Sequence, residues 1–220
     1  MGEKNQQNRR NWLTNLVAPK AQTADINDVK IKSVETFVLQ PGGCFVKITA
    51  DNGVVGWGEA DADNPPLMGA FINNGIKQEV IGESVWDLER LWDKMFYANH
   101  DHGPGGALAN AIAGIDIALW DLHGKLLGLP AYQLLGGKYR DKARVYGSFG
   151  IGFGRMSVAD AVTQAKKFVD QGFTAVKLRI QIRQSRQNPS PDPTLEYARA
   201  VRKAIGPNID YWVDINNGYT

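Results

Sequence analysis

Alternating polar and apolar positions open the readable part of the chain. Val29, Ile31 and Ser33 alternate with Lys30 and Lys32, which predicts a strand over Val29–Leu39. Pro41-Gly42-Gly43 marks a turn, and Cys44–Ala50 forms a second strand. Asp51-Asn52-Gly53 predicts a hairpin, because Asn-Gly takes the positive φ angles such turns need, and Val54–Ala60 returns as a third strand. The period then changes from two to that of a helix. Ser84 and Asp87 read as a capping-box-like pair, followed by Leu88, Leu91, Trp92, Met95 and Phe96 on one apolar face. Asn99–Gly106 is a breaker cluster, and Ala107–Leu127 reads as a long, mostly apolar helix stopped by Gly128 and Pro130. Strands followed by helices give an α+β layout.

Strands and helices alternate further on. Arg144–Phe149 reads as a strand. Ser157 caps a helix with Val158, Ala161, Val162, Ala165 and Val169 on one face. Thr174–Ile180 is a strand, and Asp192 caps the next helix with Pro193 at its first position. Leu195, Ala198, Val201 and Ile205 line that helix, and Ile209–Ile215 is the last strand. This βα repeat predicts parallel pairing. A closed βα barrel takes eight such units and about 250 residues. Three strands therefore make a piece of a larger barrel, with a small doubly wound domain as the alternative.

Composition narrows the class. At 43% apolar and 10% aromatic, the chain is not a disordered one. No run approaches the roughly 18 apolar residues of a membrane span. The net charge of +2 conceals an uneven distribution: residues 1–20 carry Lys4, Arg9, Arg10 and Lys20 against Glu3 alone. That is not the basic stripe of a nucleic-acid-binding domain. Arg9-Arg10 is followed by no apolar run adequate for an export signal. Residues 1–27 thus read as a polar N-terminal extension and the protein as cytoplasmic, with no nucleic-acid or membrane partner. Cys44, the lone cysteine, excludes an internal disulfide framework and reads as a buried strand residue.

Lys177 and Arg179 share one face of their predicted strand with Ala175, while Val176, Leu178 and Ile180 share the other. One reading pairs the two cations with carboxylates elsewhere or lets them reach solvent. The other makes them a cationic wall that binds a carboxylate or moves a proton, a lysine beside another cation having a lowered pKa. Asp214 and Asn216 share a face at the C-terminal end of a strand, where βα enzymes place their sites. A carboxylate there suits Mg²⁺; a turn or helix-capping role is the alternative. The loop Gln181–Asp192, with Arg183 and Arg186, reads as solvated more readily than as an anion contact. His100 and His102 make too few ligands for a metal site, His123 reads as structural, and Gly103–Gly106 is not a phosphate-binding loop.

From about residue 29 to the end, the chain resembles the mandelate racemase and muconate lactonizing branch of the enolase superfamily. The most specific stretch is Ala111–Gly137, AIAGIDIALWDLHGKLLGLPAYQLLGG, which resembles the family's helix joining capping domain to barrel. Gly56-Trp57-Gly58-Glu59-Ala60 resembles a capping-domain strand. The resemblance implies an α+β capping domain over residues 28–140, followed by the first three strands of a (β/α) TIM-type barrel over residues 141–220, incomplete in this chain. It implies abstraction of the proton α to a carboxylate, with Mg²⁺ stabilising the enolate. By position, Lys177-Leu178-Arg179 matches the family's Lys-x-Lys element, with Arg179 where the base usually stands; Lys177 and Arg179 are the implied catalytic residues. Asp214 matches the first metal ligand, and Asn216 and Ser148 match substrate-facing positions. The remaining metal ligands belong to later strands, so the chain alone is expected to be inactive. The implied reaction is dehydration of a sugar acid, a small-molecule carboxylate, by a protein that is a homo-oligomer at full length. A racemase, epimerase or cycloisomerase is the enzymatic alternative, and a catalytically dead binding module the other.

Overall fold

Three alternating segments form an antiparallel meander: β1 (Ile31–Val38), β2 (Cys44–Ala50) and β3 (Val55–Asp61), in the order β1-β2-β3. The structure, a computed structural model, describes residues 28–39, 42–61, 64–151, 156–180, 190–216 and 218–219. The extension over residues 1–27, Pro41 of the first turn, and Arg183 and Arg186 lie outside the described residues. β2 alternates as predicted, burying Cys44, Val46, Ile48 and Ala50. In β1 the phase differs. A register shift between Ile31 and Ser33 puts Val34 rather than Ser33 in the core. One extra residue on a strand turns over every side chain that follows. The β2–β3 hairpin is also built differently from the prediction. Gly53 alone of its three loop residues has a positive φ, 85°. Asn52 instead accepts the Val54 N–H through Oδ1 at 3.1 Å.

Helices α1 (Pro65–Asn74), α2 (Leu88–Asn99) and α3 (Ala107–Leu127) complete this unit, and the short helix α4 (Ala131–Leu134) follows. α1 starts on Pro65-Pro66, where a missing N–H leaves no bond unmade. α3 lies against β3 and β2 and buries Leu108, Ile112, Ile115, Leu119 and Leu122. It comes so close that a Cβ on Gly56 would meet the Ala118 carbonyl oxygen, and one on Gly58 the Gly114 carbonyl oxygen. The exposed margin of β3 is satisfied by side chains of the same helix. Asp121 Oδ2 accepts the Trp57 N–H at 2.8 Å, and Lys125 Nζ donates to the Val55 carbonyl at 2.9 Å and to Asp121 at 2.6 Å. An edge strand's free backbone groups are thereby paired.

The predicted Ser84–Asp87 capping pair does not form. α2 begins at Leu88 without a side-chain cap. Ser84 is drawn into a bridge with Lys30, and its Oγ accepts the Trp86 N–H at 3.3 Å. Asp87 holds Arg90 instead. His123 is buried beside the Trp86 ring, 4.7 Å between centroids, and its Nε2 bonds the Val85 carbonyl, a packing role. Cys44 is fully buried.

A second unit begins at Arg140. Its sheet is parallel, in the order β4-β5-β6: β4 (Gly147–Ile151), β5 (Ala175–Ile180) and β6 (Asp210–Asp214). The crossover helices are α5 (Val158–Asp170) and α6 (Thr194–Ile205). Ser157 and Asp160 close a full capping box on α5. α6 starts at Thr194 with Pro193, not Asp192, at the N-cap position and without a side-chain cap. Asp192 Oδ1 accepts the Thr194 N–H at 2.9 Å in the turn ahead of the helix, so the predicted cap is displaced by one residue. β4 starts at Gly147, three residues later than predicted. Arg144 spends its guanidinium on the Thr174 carbonyl, at 3.0 Å, and the Asp210 carboxylate, at 2.6 Å. Phe149, Val176, Leu178, Ile180 and Val213 pack with α5 and α6 on one face of the sheet. No helix among the described residues is long and apolar enough to cross a membrane.

Candidate active site

The other face of the parallel sheet carries the candidate residues. Strand alternation puts Lys177 and Arg179 there, opposite buried Val176, Leu178 and Ile180, as the sequence predicts. The register sets their neighbours. Ser148 lies beside Lys177, and Arg179 lies beside Asp214. Lys177 leans forward along the sheet, and its Nζ donates to Asp214 Oδ2 at 3.1 Å. Arg179 Nε donates to Asn216 Oδ1, also at 3.1 Å. Asn216 has a positive φ of 47°, and its N–H returns to Asp214 Oδ1 at 2.9 Å. The positive φ brings the chain back towards the strand end, where one short loop fixes both the carboxylate and the amide.

The four residues form two hydrogen-bonded pairs, and in the Lys177–Asp214 pair each partner favours the other's charged form. Asp214 holds the Lys177 ammonium above the ordinary lysine range, by its hydrogen bond first. Asp214 is held below the usual carboxylate range, by Lys177 first and the Asn216 N–H second. The expectation of a lowered lysine pKa is therefore corrected. A carboxylate, not the neighbouring guanidinium, dominates at Lys177, and both side chains of the pair are about a third exposed or less (26% and 33%).

Ser148 is exposed on this face. Two aromatic residues not singled out from the sequence share it. Lys177 Nζ lies 5.6 Å from the Tyr146 ring centroid, and Tyr146 lies 5.5 Å from Trp212. The signal was available: Tyr146 is two residues before Ser148, and Trp212 two before Asp214, so alternation puts each beside a named site residue. Tyr219 was also passed over. Its hydroxyl donates to Asp192 Oδ1 at 2.7 Å and meets Thr194 Oγ1 at 2.5 Å, tying the segment after β6 to the start of α6.

Mg²⁺ takes oxygen ligands in near-octahedral geometry. Asp214 offers the right chemistry but only one carboxylate, already engaged by Lys177. No group of three His, Cys, Asp or Glu that could hold a metal occurs among the described residues. These residues fit one corner of a magnesium site and do not make a whole one.

A helix-sealed α+β unit followed by βα units, with paired cations and a carboxylate at the strand ends, defines a class that comparison with known proteins makes specific. Residues 21–136 match the model of the mandelate racemase / muconate lactonizing enzyme N-terminal domain, and residues 160–220 match an enolase C-terminal domain-like model. The chain belongs to the mandelate racemase / muconate lactonizing enzyme family. A D-galactonate dehydratase of Verminephrobacter eiseniae is 33% identical over 190 residues, 86% of this chain and 48% of the relative. A D-galactarolactone cycloisomerase of Agrobacterium fabrum is 33% identical over 177 residues, 80% of this chain and 44% of the relative. The crystal structure of a mandelate racemase/muconate lactonizing protein from Paracoccus denitrificans PD1222, complexed with magnesium, is similar with a TM-score of 0.80 and 37% identity. It is matched over 88% of this chain and 53% of that one. The chain thus spans about half the length of the curated relatives it matches.

Proposed function

We propose that this chain carries the first part of a sugar-acid dehydratase, acting by removal of the proton α to a carboxylate. The observation that carries the reading is the Lys177–Asp214 and Arg179–Asn216 pairing at the strand ends, in a chain similar to D-galactonate dehydratases. Lys177 and Arg179 are the groups that meet the substrate's negative charge. Lys177 stands as an ammonium in its pair with Asp214, a guanidinium keeps its proton at ordinary pH, and the α proton passes to a base from outside the described residues. Asn216 and Ser148 orient the substrate's hydroxyl groups through an amide and a hydroxyl. Asp214 would give one ligand to Mg²⁺, whose contribution when bound is to neutralise charge developing on the substrate carboxylate. The other ligands come from outside the described residues, and the 220-residue chain alone is inactive. In the same reading the protein is cytoplasmic and homo-oligomeric.

The D-galactarolactone cycloisomerase relative supports a second reading, isomerisation on the same face. The experiment supplies the chain with the C-terminal half of a D-galactonate dehydratase, adds aldonic and aldaric acids with and without Mg²⁺ in D₂O, and follows products by NMR. Magnesium-dependent loss of water, giving a 2-keto-3-deoxy acid, is the expected result. Deuterium at the α carbon with no loss of water would select the isomerase reading. Turnover of neither kind, by a complemented protein shown to be folded, would overturn both in favour of a binding module.

A further inference from the structure

The three segments that follow the strands of the second unit are tied at one place, the first turn of α6. Ahead of α5, the Met156 carbonyl accepts the Tyr197 hydroxyl at 2.6 Å. Ahead of α6 itself, Asp192 Oδ1 accepts the Thr194 N–H at 2.9 Å. After β6, the Tyr219 hydroxyl reaches back to the same carboxylate oxygen at 2.7 Å and to Thr194 Oγ1 at 2.5 Å. The reaction proposed above uses none of Asp192, Thr194, Tyr197 or Tyr219. A phenol has one proton and a carboxylate has none, so Tyr219 donates to Asp192 and accepts from the Thr194 hydroxyl. Asp192 is held below the usual carboxylate range, by the Thr194 N–H first and Tyr219 second. An ionised acceptor makes this O–H···O⁻ bond a strong one. Burial, first, pushes the Tyr219 phenol above its ordinary value, so the donor keeps its proton.

What Tyr219 anchors is the turn that carries two candidate site residues. Asn216 has a φ of 47°, a conformation uncommon for any residue but glycine. Its N–H bonds Asp214 Oδ1 at 2.9 Å, and the Gly218 N–H bonds the Ile215 carbonyl at 2.9 Å. Its side-chain oxygen accepts Arg179 Nε at 3.1 Å. The turn thus leaves β6 at one end and is fastened to α6 by Tyr219 at the other. We propose that Tyr219 is a positioning residue. Through Asp192 it holds the Asp214–Asn216 turn, and through Asn216 it sets the direction of the Arg179 guanidinium. Its use in the reaction rests on the assignment of Arg179 to the substrate's negative charge; its mechanics rest on the hydrogen bonds alone.

Tyr197→Phe is the matched control. It too deletes one phenol bond at the start of α6, but that bond leads to Met156 and to no candidate site residue. The readout is the exchange with water of the Arg179 Nε–H in the 220-residue chain, identified by NMR through its loss in Arg179→Lys. Tyr219→Phe should speed that exchange about fivefold, the effect of one net hydrogen bond, and Tyr197→Phe should leave it unchanged. Asp192→Ala should match Tyr219→Phe, and the double variant should go no further, because both break one link. In the complemented protein, Tyr219→Phe should raise KM for the sugar acid turned over, and Tyr197→Phe should not. An Arg179 exchange unmoved by Tyr219→Phe, or moved as much by Tyr197→Phe, would overturn the proposal and leave the bond a matter of stability. So would an unchanged KM in a protein that does turn over. No turnover at all would overturn the reaction alone, since the Arg179 exchange is read without substrate. Far-UV circular dichroism of each variant confirms that the comparison is between folded chains.

Discussion

In the first unit, the sheet face beneath α3 is sealed so closely that Gly56 and Gly58 leave no room for a Cβ. In the second, the face away from α5 and α6 is given over to Lys177, Arg179, Asp214 and two half-exposed aromatic rings. Among the described residues the two sheets have three strands each but put their polar side chains to different use. Asp121 and Lys125 satisfy the backbone of an edge strand. Lys177 and Asp214 satisfy chiefly each other, at a strand end. The first arrangement is a device of stability, and the second is one that a ligand could rearrange.

Overpacking should break the first sheet most severely. Gly58→Val drives a side chain into the Gly114 carbonyl and should cost about 3 kcal/mol or more in urea unfolding. A stable Gly58→Val protein would mean that the close approach of α3 is dispensable. Asp121→Ala leaves the Trp57 N–H without its acceptor and the Lys125 ammonium with the Val55 carbonyl but no carboxylate, for an expected loss of about 1–3 kcal/mol by the same measurement. Ser157→Ala removes the capping box from α5 in the second unit and should cost about 1 kcal/mol.

A pH titration sharpens the contrast in a gentler way. Glu83 is held down from 4.5 to about 2, by Lys94 first and Arg90 second. Its folded value lies below its unfolded one, so its contribution is full above about pH 4.5 and is lost as pH falls towards 2. Glu83→Gln should remove that contribution at neutral pH, leave stability near pH 2 little changed, and so flatten the acid limb of the stability curve in that window. An unaltered acid limb would show that exposure screens the pair completely.

Much of this was legible from periodicity. The ends of β2 and α3 coincide with their predicted limits because Gly and Pro punctuate both segments, and α3 is apolar enough to be buried along its length. The facing of Lys177 and Arg179 followed from alternation alone. What the sequence concealed was non-local. The bulge in β1 depends on its pairing with β2, and Ser84 was claimed by Lys30, more than fifty residues earlier. α1 was missed because Pro-Pro, an internal glycine and a terminal Asn-Asn obscure a ten-residue helix. At the candidate site, each residue's face was readable but its partner was not. The charge state of Lys177 turns on Asp214, which belongs to the next strand of the sheet.

The central claim is that the second sheet's polar face serves chemistry rather than stability. The most direct measurement is Lys177→Met in the complemented protein, with its urea midpoint and any magnesium-dependent loss of water from the sugar acid that the unsubstituted protein turns over recorded on one preparation. An unchanged midpoint with dehydration abolished is the predicted result. A lowered midpoint with dehydration retained would make the Lys177–Asp214 pair a structural one and contradict the account.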